Sequence, residues 1–184
     1  PNENCAPAQQ ACLAFAASTQ DSEVEIPDKL LTLVTEFNRL LAVPPARDLT
    51  NPDTQEGQRL FHQLQCATCH TPSYVTASEG GPDALANQTI WPYTDLALHD
   101  MGEGLADGVE EYSATGREWR TPPLWGIGLQ KAYTGQQRYL HDGRATSLEQ
   151  AILWHGGEAA GAKHAYSQLT QEQRQQVLQF LASI

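Results

Sequence analysis

The stretch QLQCATCHTP, residues 63–72, places Cys66, Cys69 and His70 in the pattern C-x-x-C-H. Two thiols and an imidazole at this spacing have three common uses: half of a zinc site, a dithiol redox pair, and the attachment of a c-type haem. In the third use the two sulfurs form thioethers with the haem, and the histidine that follows binds the iron. The rest of the sequence decides between these uses.

The zinc and dithiol interpretations lack the residues or the setting that they need. A zinc site takes about four ligands, commonly a second cysteine pair or two closely spaced histidines. The other cysteines, Cys5 and Cys12, lie far upstream, and no close pair is formed by the downstream histidines His141, His155 and His164. A thioredoxin-like dithiol is expected after a strand, whereas a helix is expected here. One covalent haem c, held by Cys66 and Cys69 with His70 as proximal ligand, explains the motif best.

The second axial ligand is predicted to be Met101, the one methionine of the chain, within LHDMGEG. Methionine is a common filler of hydrophobic cores, so a lone methionine flanked by histidine, aspartate and glycine is unusual for core packing. His/Met ligation raises the reduction potential of a haem and closes both axial positions, which favours electron transfer. Two alternatives stay open: His99 as the ligand, and Met101 as an ordinary packing residue.

Composition and charge exclude several classes of function. The chain has 184 residues and a net charge of −11, from 22 acidic and 11 basic residues, which argues against nucleic acid and anionic membranes as partners. No apolar run is long enough to cross a bilayer. The chain opens at Pro1 without a signal sequence, so we expect a mature product or a module of a larger secreted chain.

The two N-terminal cysteines also indicate the cellular compartment of the protein. Cys5 and Cys12 enclose the short segment CAPAQQAC and are expected to form a disulfide that anchors the N-terminal end. A disulfide of this kind implies an oxidising environment, so the predicted location is periplasmic or secreted.

The hydrophobic pattern predicts an all-α fold with long loops. Residues 26–45 indicate an amphipathic helix, and a second helix is expected from about Pro52 to Cys66. Two later helices have capping-box signals, Ser147 with Gln150 and Thr170 with Gln173. Loops this rich in glycine and proline over residues 71–146 suggest a large bound group that organises them. The predicted organisation is an N-terminal extension, residues 1–50, and a cytochrome domain, residues 51–184.

Four segments together resemble a known family: CATCHTP, DLALHDMGEGLADG, REWRTPPLWGIGL and YLHDGRATSLEQAILWHGGEA. They resemble the C-terminal cytochrome domain of the bacterial di-haem oxidoreductases. That family is described as peroxidases or thiol oxidoreductases and is distantly similar to bacterial cytochrome c peroxidases. The resemblance covers roughly residues 55–184, and it is the order of the segments that makes it specific.

The resemblance implies a class I cytochrome c-like helical core. Helices around Gly57–Phe61 and Val177–Leu181 would cross near the haem edge. It also implies the haem roles of Cys66, Cys69, His70 and Met101 given above, and it suggests further residues that pack the ring or bind its propionates, namely Trp119, Arg120, Trp125, Tyr139 and His141. For Arg120 a solvated surface position, and for His141 a polar turn position, are the alternatives.

The number of haem motifs bears on function. Full-length members of the family carry two, whereas this chain has one C-x-x-C-H. The predicted function is therefore that of a single-haem c-type cytochrome module that carries single electrons between redox protein partners. The main alternative is a peroxidase-type haem enzyme, or one half of a di-haem oxidoreductase. A haem-based sensor is a third possibility.

Overall fold

A computed structural model describes residues 6–18 and 26–184 of the chain. It divides into two compact units, residues 1–42 and 43–184. The sequence placed its boundary after residue 50, and that the first part works as a separate extension stays a prediction. Residues 43–50 are tied to the end of the second unit, because the Arg47 amide donates to the Ser183 carbonyl at 2.7 Å and its guanidinium donates to the Ala182 carbonyl at 2.6 Å.

The described part of the first unit contains two helices. Helix α1, Gln10–Ser18, was not predicted, because this part of the sequence shows no clear helical period. Helix α2, Asp28–Arg39, begins after Pro27 and agrees with the predicted amphipathic helix. Its apolar stripe is exposed to solvent, and Phe37 retains 66% of its accessible surface. Cys5 lies outside the described residues, so the predicted Cys5–Cys12 disulfide stays a prediction.

The second unit combines helices with short strands around a set of long loops. No helix in the described parts of the chain has the length and apolar character needed to cross a bilayer. The elements, in chain order, are α3 (Pro52–Gln63), β1 (Tyr74–Val75), β2 (Thr89–Ile90), β3 (Leu98–Asp100), β4 (Glu118–Arg120), α4 (Gln130–Thr134), α5 (Leu148–Trp154), α6 (Ala160–Ser167) and α7 (Gln171–Ser183).

The prediction of an all-α fold is wrong. The class I cytochrome c-like description was part of that prediction and is not supported either. The loops contain two antiparallel two-stranded sheets, in which β1 pairs with β2 and β3 pairs with β4. In the second sheet His99 lies opposite Trp119. Strands of two or three residues are too short to show the alternation of apolar and polar residues that identifies a strand in sequence. The chain is nevertheless mostly helical.

Helix α3 ends just before the C-x-x-C-H motif, earlier than predicted. Its N-terminus is capped by Asn51, whose side chain accepts the Asp53 amide at 2.9 Å. Gln65 then adopts the left-handed conformation with φ 64°, which ends the helix. A 3₁₀ turn over Cys66–Thr68 follows, so both cysteines lie on a tight turn and not on the helix.

The two later capping boxes differ in the structure. At α7 both halves are present, because Thr170 and Gln173 each accept the other's backbone amide. At α5 the Ser147 hydroxyl accepts the Gln150 amide, but the Gln150 side chain accepts from Thr146 instead of from Ser147. The predicted box at α5 is therefore only half formed.

Helices α3 and α7 cross at close range and build the core of the second unit. Phe61 packs edge-on against Phe180 with ring centres 5.4 Å apart, and Leu60 and Val177 are almost fully buried beside them. Gly57 lies at the point of closest approach, where an added Cβ would be 2.0 Å from the Gln176 carbonyl oxygen. The helices can approach this closely only because residue 57 has no side chain.

We predict that Gly57→Ala destabilises the protein, although alanine is the better helix former by about 1 kcal/mol. The new methyl group would meet the backbone of α7, so the helices must separate, and the free energy of unfolding should fall by about 1–3 kcal/mol. Denaturant unfolding measures the change. Gly161→Ala in α6 is the matched control, because nothing lies within 4 Å of its added Cβ. An equal or higher stability for Gly57→Ala would contradict this packing.

Candidate functional site

A large cavity of about 1010 Å³ lies within the second unit. This volume is at the upper end of the range of cofactor and small-molecule sites, about 300–1,000 Å³. All eight residues predicted to bind a cofactor line it: Cys66, Cys69, His70, Met101, Arg120, Trp125, Tyr139 and His141. The structure thus brings the predicted residues together, while the role of each toward a haem stays a prediction.

His70 is a partly buried imidazole with a fixed orientation. Its Nδ1 lies 3.0 Å from the carbonyl oxygen of Tyr93. A carbonyl can only accept, so Nδ1 carries the proton and donates, which leaves Nε2 with a free lone pair. Burial lowers the pKa of His70 to about 4, so the ring is neutral at physiological pH. A neutral imidazole with one nitrogen hydrogen-bonded to the backbone is the form in which histidine binds a metal.

The segment that offers this carbonyl is held in an unusual conformation. Tyr93 has φ 52°, in the left-handed region that side chains rarely adopt. The buried Thr94 holds the turn from within, because its hydroxyl donates to the Thr121 carbonyl at 2.6 Å and accepts the Leu96 amide at 2.9 Å. The Thr94 amide also donates to Thr71, next to His70, at 3.0 Å. These bonds direct the Tyr93 carbonyl at His70.

The two cysteines of the motif are free thiols beside His70. The 3₁₀ turn closes on itself, since the His70 amide donates to the Cys66 carbonyl at 3.0 Å. This turn places both sulfurs and the imidazole on the wall of the same cavity. Burial raises the pKa of the Cys66 thiol to about 11, and burial also raises the pKa of Cys69. Both groups are therefore protonated thiols at neutral pH.

His99, the alternative axial ligand, is occupied on both ring nitrogens. Its Nε2 lies 2.8 Å from Asp95 and its Nδ1 lies 2.9 Å from Glu158. Hydrogen bonds to Glu158 and Asp95 raise the pKa of His99, and two carboxylate acceptors call for an N–H on each ring nitrogen. A protonated imidazole has no lone pair to offer a metal. His99 does not fit the role of iron ligand.

Three side chains in this region form a cluster of possible metal ligands. Ligand atoms of Cys69, Asp95 and His99 lie within 4.8 Å of one another. This group includes neither Cys66 nor His70, and both ring nitrogens of His99 already bind carboxylates. A zinc ion here would leave half of the C-x-x-C-H motif unexplained, so the cluster does not support the zinc interpretation.

The other predicted residues form the remaining wall and its rim. Trp119 stacks on His141 with ring centres 3.5 Å apart and an interplanar angle of 10°, and its Nε1 donates to the Leu105 carbonyl at 3.0 Å. Tyr139 is buried, and its hydroxyl accepts from Gln137 at 3.1 Å. Arg120 is exposed at the rim, and its guanidinium has no hydrogen bond or ion pair within the described residues. It is therefore available to a carboxylate.

Met101 lies at the end of β3 and lines the cavity. Its amide donates to the Arg117 carbonyl at 2.9 Å, and its own carbonyl lies against Gly156. The chain after α5 therefore passes directly behind Met101. This contact brings a residue to the site that the sequence did not assign, His155.

His155 directly follows α5 and lines the same cavity. Its Nδ1 lies 2.7 Å from the Ala151 carbonyl oxygen, and its ring centre is 6.5 Å from that of His70. Burial lowers its pKa, so this ring is neutral as well. In the sequence His155 is a candidate only for a zinc site, and it has no neighbouring histidine with which to form one. Its nearness to His70 depends on the fold and has no sequence signal.

Comparison with known proteins assigns a family. The family model described as "Di-haem oxidoreductase, putative peroxidase" matches residues 8–184. The chain belongs to this family. The match confirms the resemblance seen in the four segments and extends it to α1 and α2. Neither the curated proteins nor the solved structures include a match to this chain.

Membership of a di-haem oxidoreductase family implies a haem cofactor. The residues in the cavity fit one: two free thiols and a neutral, backbone-oriented imidazole share its wall, and apolar side chains such as Leu105 and Leu124 line the rest. Haem c attached at a C-x-x-C-H motif requires this donor set. The site is therefore a candidate haem pocket.

We predict that His99→Gln leaves the visible spectrum of the haem-loaded protein unchanged, because both nitrogens of His99 already bind carboxylates. The variant should unfold at a lower temperature, since Asp95 and Glu158 lose the cation between them. Absorption spectroscopy and thermal unfolding on one sample measure the two effects. A shifted haem spectrum in His99→Gln would contradict this assignment.

Proposed function

We propose that this chain is a c-type redox module that holds one haem c and passes single electrons between protein partners. The observation that carries the proposal is the C-x-x-C-H turn, which presents two free thiols and an oriented, neutral imidazole to one large cavity. When bound, the haem iron supplies one-electron chemistry, alternating between its ferric and ferrous states.

The protein residues control this chemistry from the proximal side. Cys66 and Cys69 would fix the position of the macrocycle, and His70 would bind the iron through Nε2. The bond from Nδ1–H to the Tyr93 carbonyl holds the ring in one orientation and makes Nε2 a stronger donor. The Phe61 ring centre lies 6.3 Å from that of His70, and the same ring packs against Phe180 of α7. Because His70 is held by these contacts, the proximal side is rigid. A rigid ligand changes little when the charge on iron changes.

The rest of the cavity would shield the cofactor from water. The stacked pair Trp119 and His141 and the buried Tyr139 supply flat and apolar surface. Burial of this kind is one of the features by which a protein sets the potential of a haem. The exposed guanidinium of Arg120 would pair with a propionate at the rim, where two parallel N–H groups suit a carboxylate.

The partners we propose are redox proteins, an electron donor and an electron acceptor. Encounters between redox proteins are usually small and short-lived. The net charge of −11 is suited to a partner with a basic patch. We also propose a periplasmic or secreted location in a bacterium, in line with the expected Cys5–Cys12 disulfide. The chain could equally serve as a module of a larger secreted protein.

A second candidate function is that of a peroxidase-type enzyme or one half of a di-haem oxidoreductase. The family description favours it. An enzyme of this type needs an axial position that a substrate can reach. The two functions therefore differ in one property, the access of small molecules to the iron.

The experiment that separates them uses the haem-loaded chain. We expect the reduced protein to pass its electron rapidly to an oxidised small c-type cytochrome in a stopped-flow mixing experiment. With hydrogen peroxide and a reduced donor we expect turnover far below the enzymatic range, which begins at about 1 s⁻¹. Sustained turnover within that range would overturn the carrier proposal and favour the enzyme.

We predict that Cys66→Ala and Cys69→Ala each retain one thioether, and that the double variant loses covalent haem. Each sulfur forms its own bond, so the losses are independent. Mass spectrometry after denaturation counts the attached haem. Thr68→Ala, within the same turn, is the matched control and should keep the full covalent adduct. Covalent haem in the double variant would show that attachment does not use this motif.

We predict that Arg120→Gln lowers the reduction potential of the haem, because a positive charge near the iron favours the ferrous state. The effect should be larger at low ionic strength, since salt screens charges at an exposed rim. Redox titration measures it at two salt concentrations. Arg59→Gln on α3 removes the same charge outside the cavity and should leave the potential unchanged. Equal shifts in both variants would contradict a specific contact.

A further inference from the structure

The cavity contains a second, partly buried imidazole close to the first. His70 and His155 both line it, their ring centres are 6.5 Å apart, and their planes are inclined at 48°. They come from distant parts of the chain, the C-x-x-C-H turn and the end of α5. No hydrogen bond joins the two rings, so their approach needs another explanation.

The distance between the two ring centres is close to that expected for two imidazoles bound to opposite sides of one metal ion. An imidazole nitrogen binds a first-row transition metal at about 2 Å and lies roughly 1 Å from the centre of its own ring. Two imidazoles on opposite sides of one ion therefore have ring centres about 6 Å apart. The observed distance of 6.5 Å leaves room for an iron ion between the rings.

The two imidazoles make the same kind of hydrogen bond to the backbone. In each, Nδ1 is bonded to a backbone carbonyl, that of Tyr93 at 3.0 Å for His70 and that of Ala151 at 2.7 Å for His155. Each Nδ1 must therefore donate, which leaves the lone pair on Nε2. Neither Nε2 has a hydrogen-bond partner among residues 6–18 and 26–184. Each imidazole therefore has a free Nε2 lone pair with which to bind a metal ion.

The segment that carries His155 is fixed in place by two glycines. Helix α5 ends at Trp154, and the His155 amide donates to the Ile152 carbonyl at 3.2 Å. An added Cβ at Gly156 would lie 2.7 Å from the Met101 carbonyl oxygen, and one at Gly157 would lie 2.1 Å from that of Asp100. The two glycines let the chain pack closely against β3, so His155 has a defined position.

We propose that His155 is the second axial ligand of the haem iron, in place of Met101. The proposal rests on the proposed function, because it presumes the haem held by Cys66, Cys69 and His70. Met101 then packs beside Gly156 and does not bind the iron. With one histidine on each face, both axial positions are closed by the protein. The site then transfers electrons and binds exogenous ligands poorly.

The test begins with the oxidised haem-loaded protein. A methionine sulfur bound to ferric haem produces a weak charge-transfer band at the red end of the visible spectrum. We expect the wild-type protein to lack this band and to show a low-spin ferric haem by electron paramagnetic resonance. Met101→Leu should leave both spectra and the reduction potential unchanged. A band that is present and disappears in Met101→Leu would overturn the proposal.

His155 is then changed in two ways. His155→Met should gain the thioether band and shift the reduction potential upward, because a thioether ligand favours ferrous iron. His155→Gly should become high-spin and return to the low-spin spectrum when free imidazole is added. If His155 had only a structural role, His155→Met would not gain the thioether band, and free imidazole would not return His155→Gly to the low-spin state. A His155→Gly protein that stays low-spin without imidazole would also overturn the proposal.

The outcomes separate this inference from the proposed function. Covalent haem with a methionine signature refutes His155 ligation but leaves the redox module intact. Wild-type protein that matures without covalent haem refutes both. Because a methionine band in the wild-type protein that disappears in Met101→Leu would overturn the proposal by itself, the proposal stays testable even where a His155 variant fails to fold.

Discussion

The hydrogen bond from His70 Nδ1–H to the Tyr93 carbonyl is the interaction on which the rest of the site depends. A buried imidazole costs free energy unless its polar nitrogens are satisfied. Here the backbone satisfies Nδ1, and Nε2 would bind the iron of the proposed haem. The bond in turn requires Tyr93 to adopt a left-handed conformation, which costs about 1–3 kcal/mol at a non-glycine residue. The hydrogen bonds of Thr94 offset that cost and keep the carbonyl in place.

The fold and the site share their central residues. Phe61 belongs to the α3–α7 core and also contacts His70, while Val177 and Leu181 belong to that core and line the cavity. A bound haem would therefore complete the hydrophobic core as well as supply the redox centre. This explains why so few regular elements support residues 71–146: loops of this length are stable in a compact domain when a large group gives them a surface to pack on.

The sequence predicted which residues meet at the site better than it predicted the architecture of the fold. The C-x-x-C-H motif and the four family segments identified eight residues that the fold does bring to one cavity. The capping signals and apolar stripes located α2, α3, α5 and α7. The two small sheets were missed because strands as short as Tyr74–Val75 have no period to detect. His155 was missed because its partner, His70, is eighty-five residues away, and only the close packing of Gly156 and Gly157 on β3 unites them.

The choice of axial ligand connects this geometry to the family. A haem that activates peroxide must leave an axial position open, whereas a haem with a histidine on each face is closed and serves to store or relay an electron. The described part of the chain offers one attachment motif and, beside it, two neighbouring neutral imidazoles. In a di-haem oxidoreductase the two tasks fall to different haems. If His155 binds the iron as we propose, this chain would correspond to the relay half of that chemistry, because its two histidines would keep substrates away from the iron.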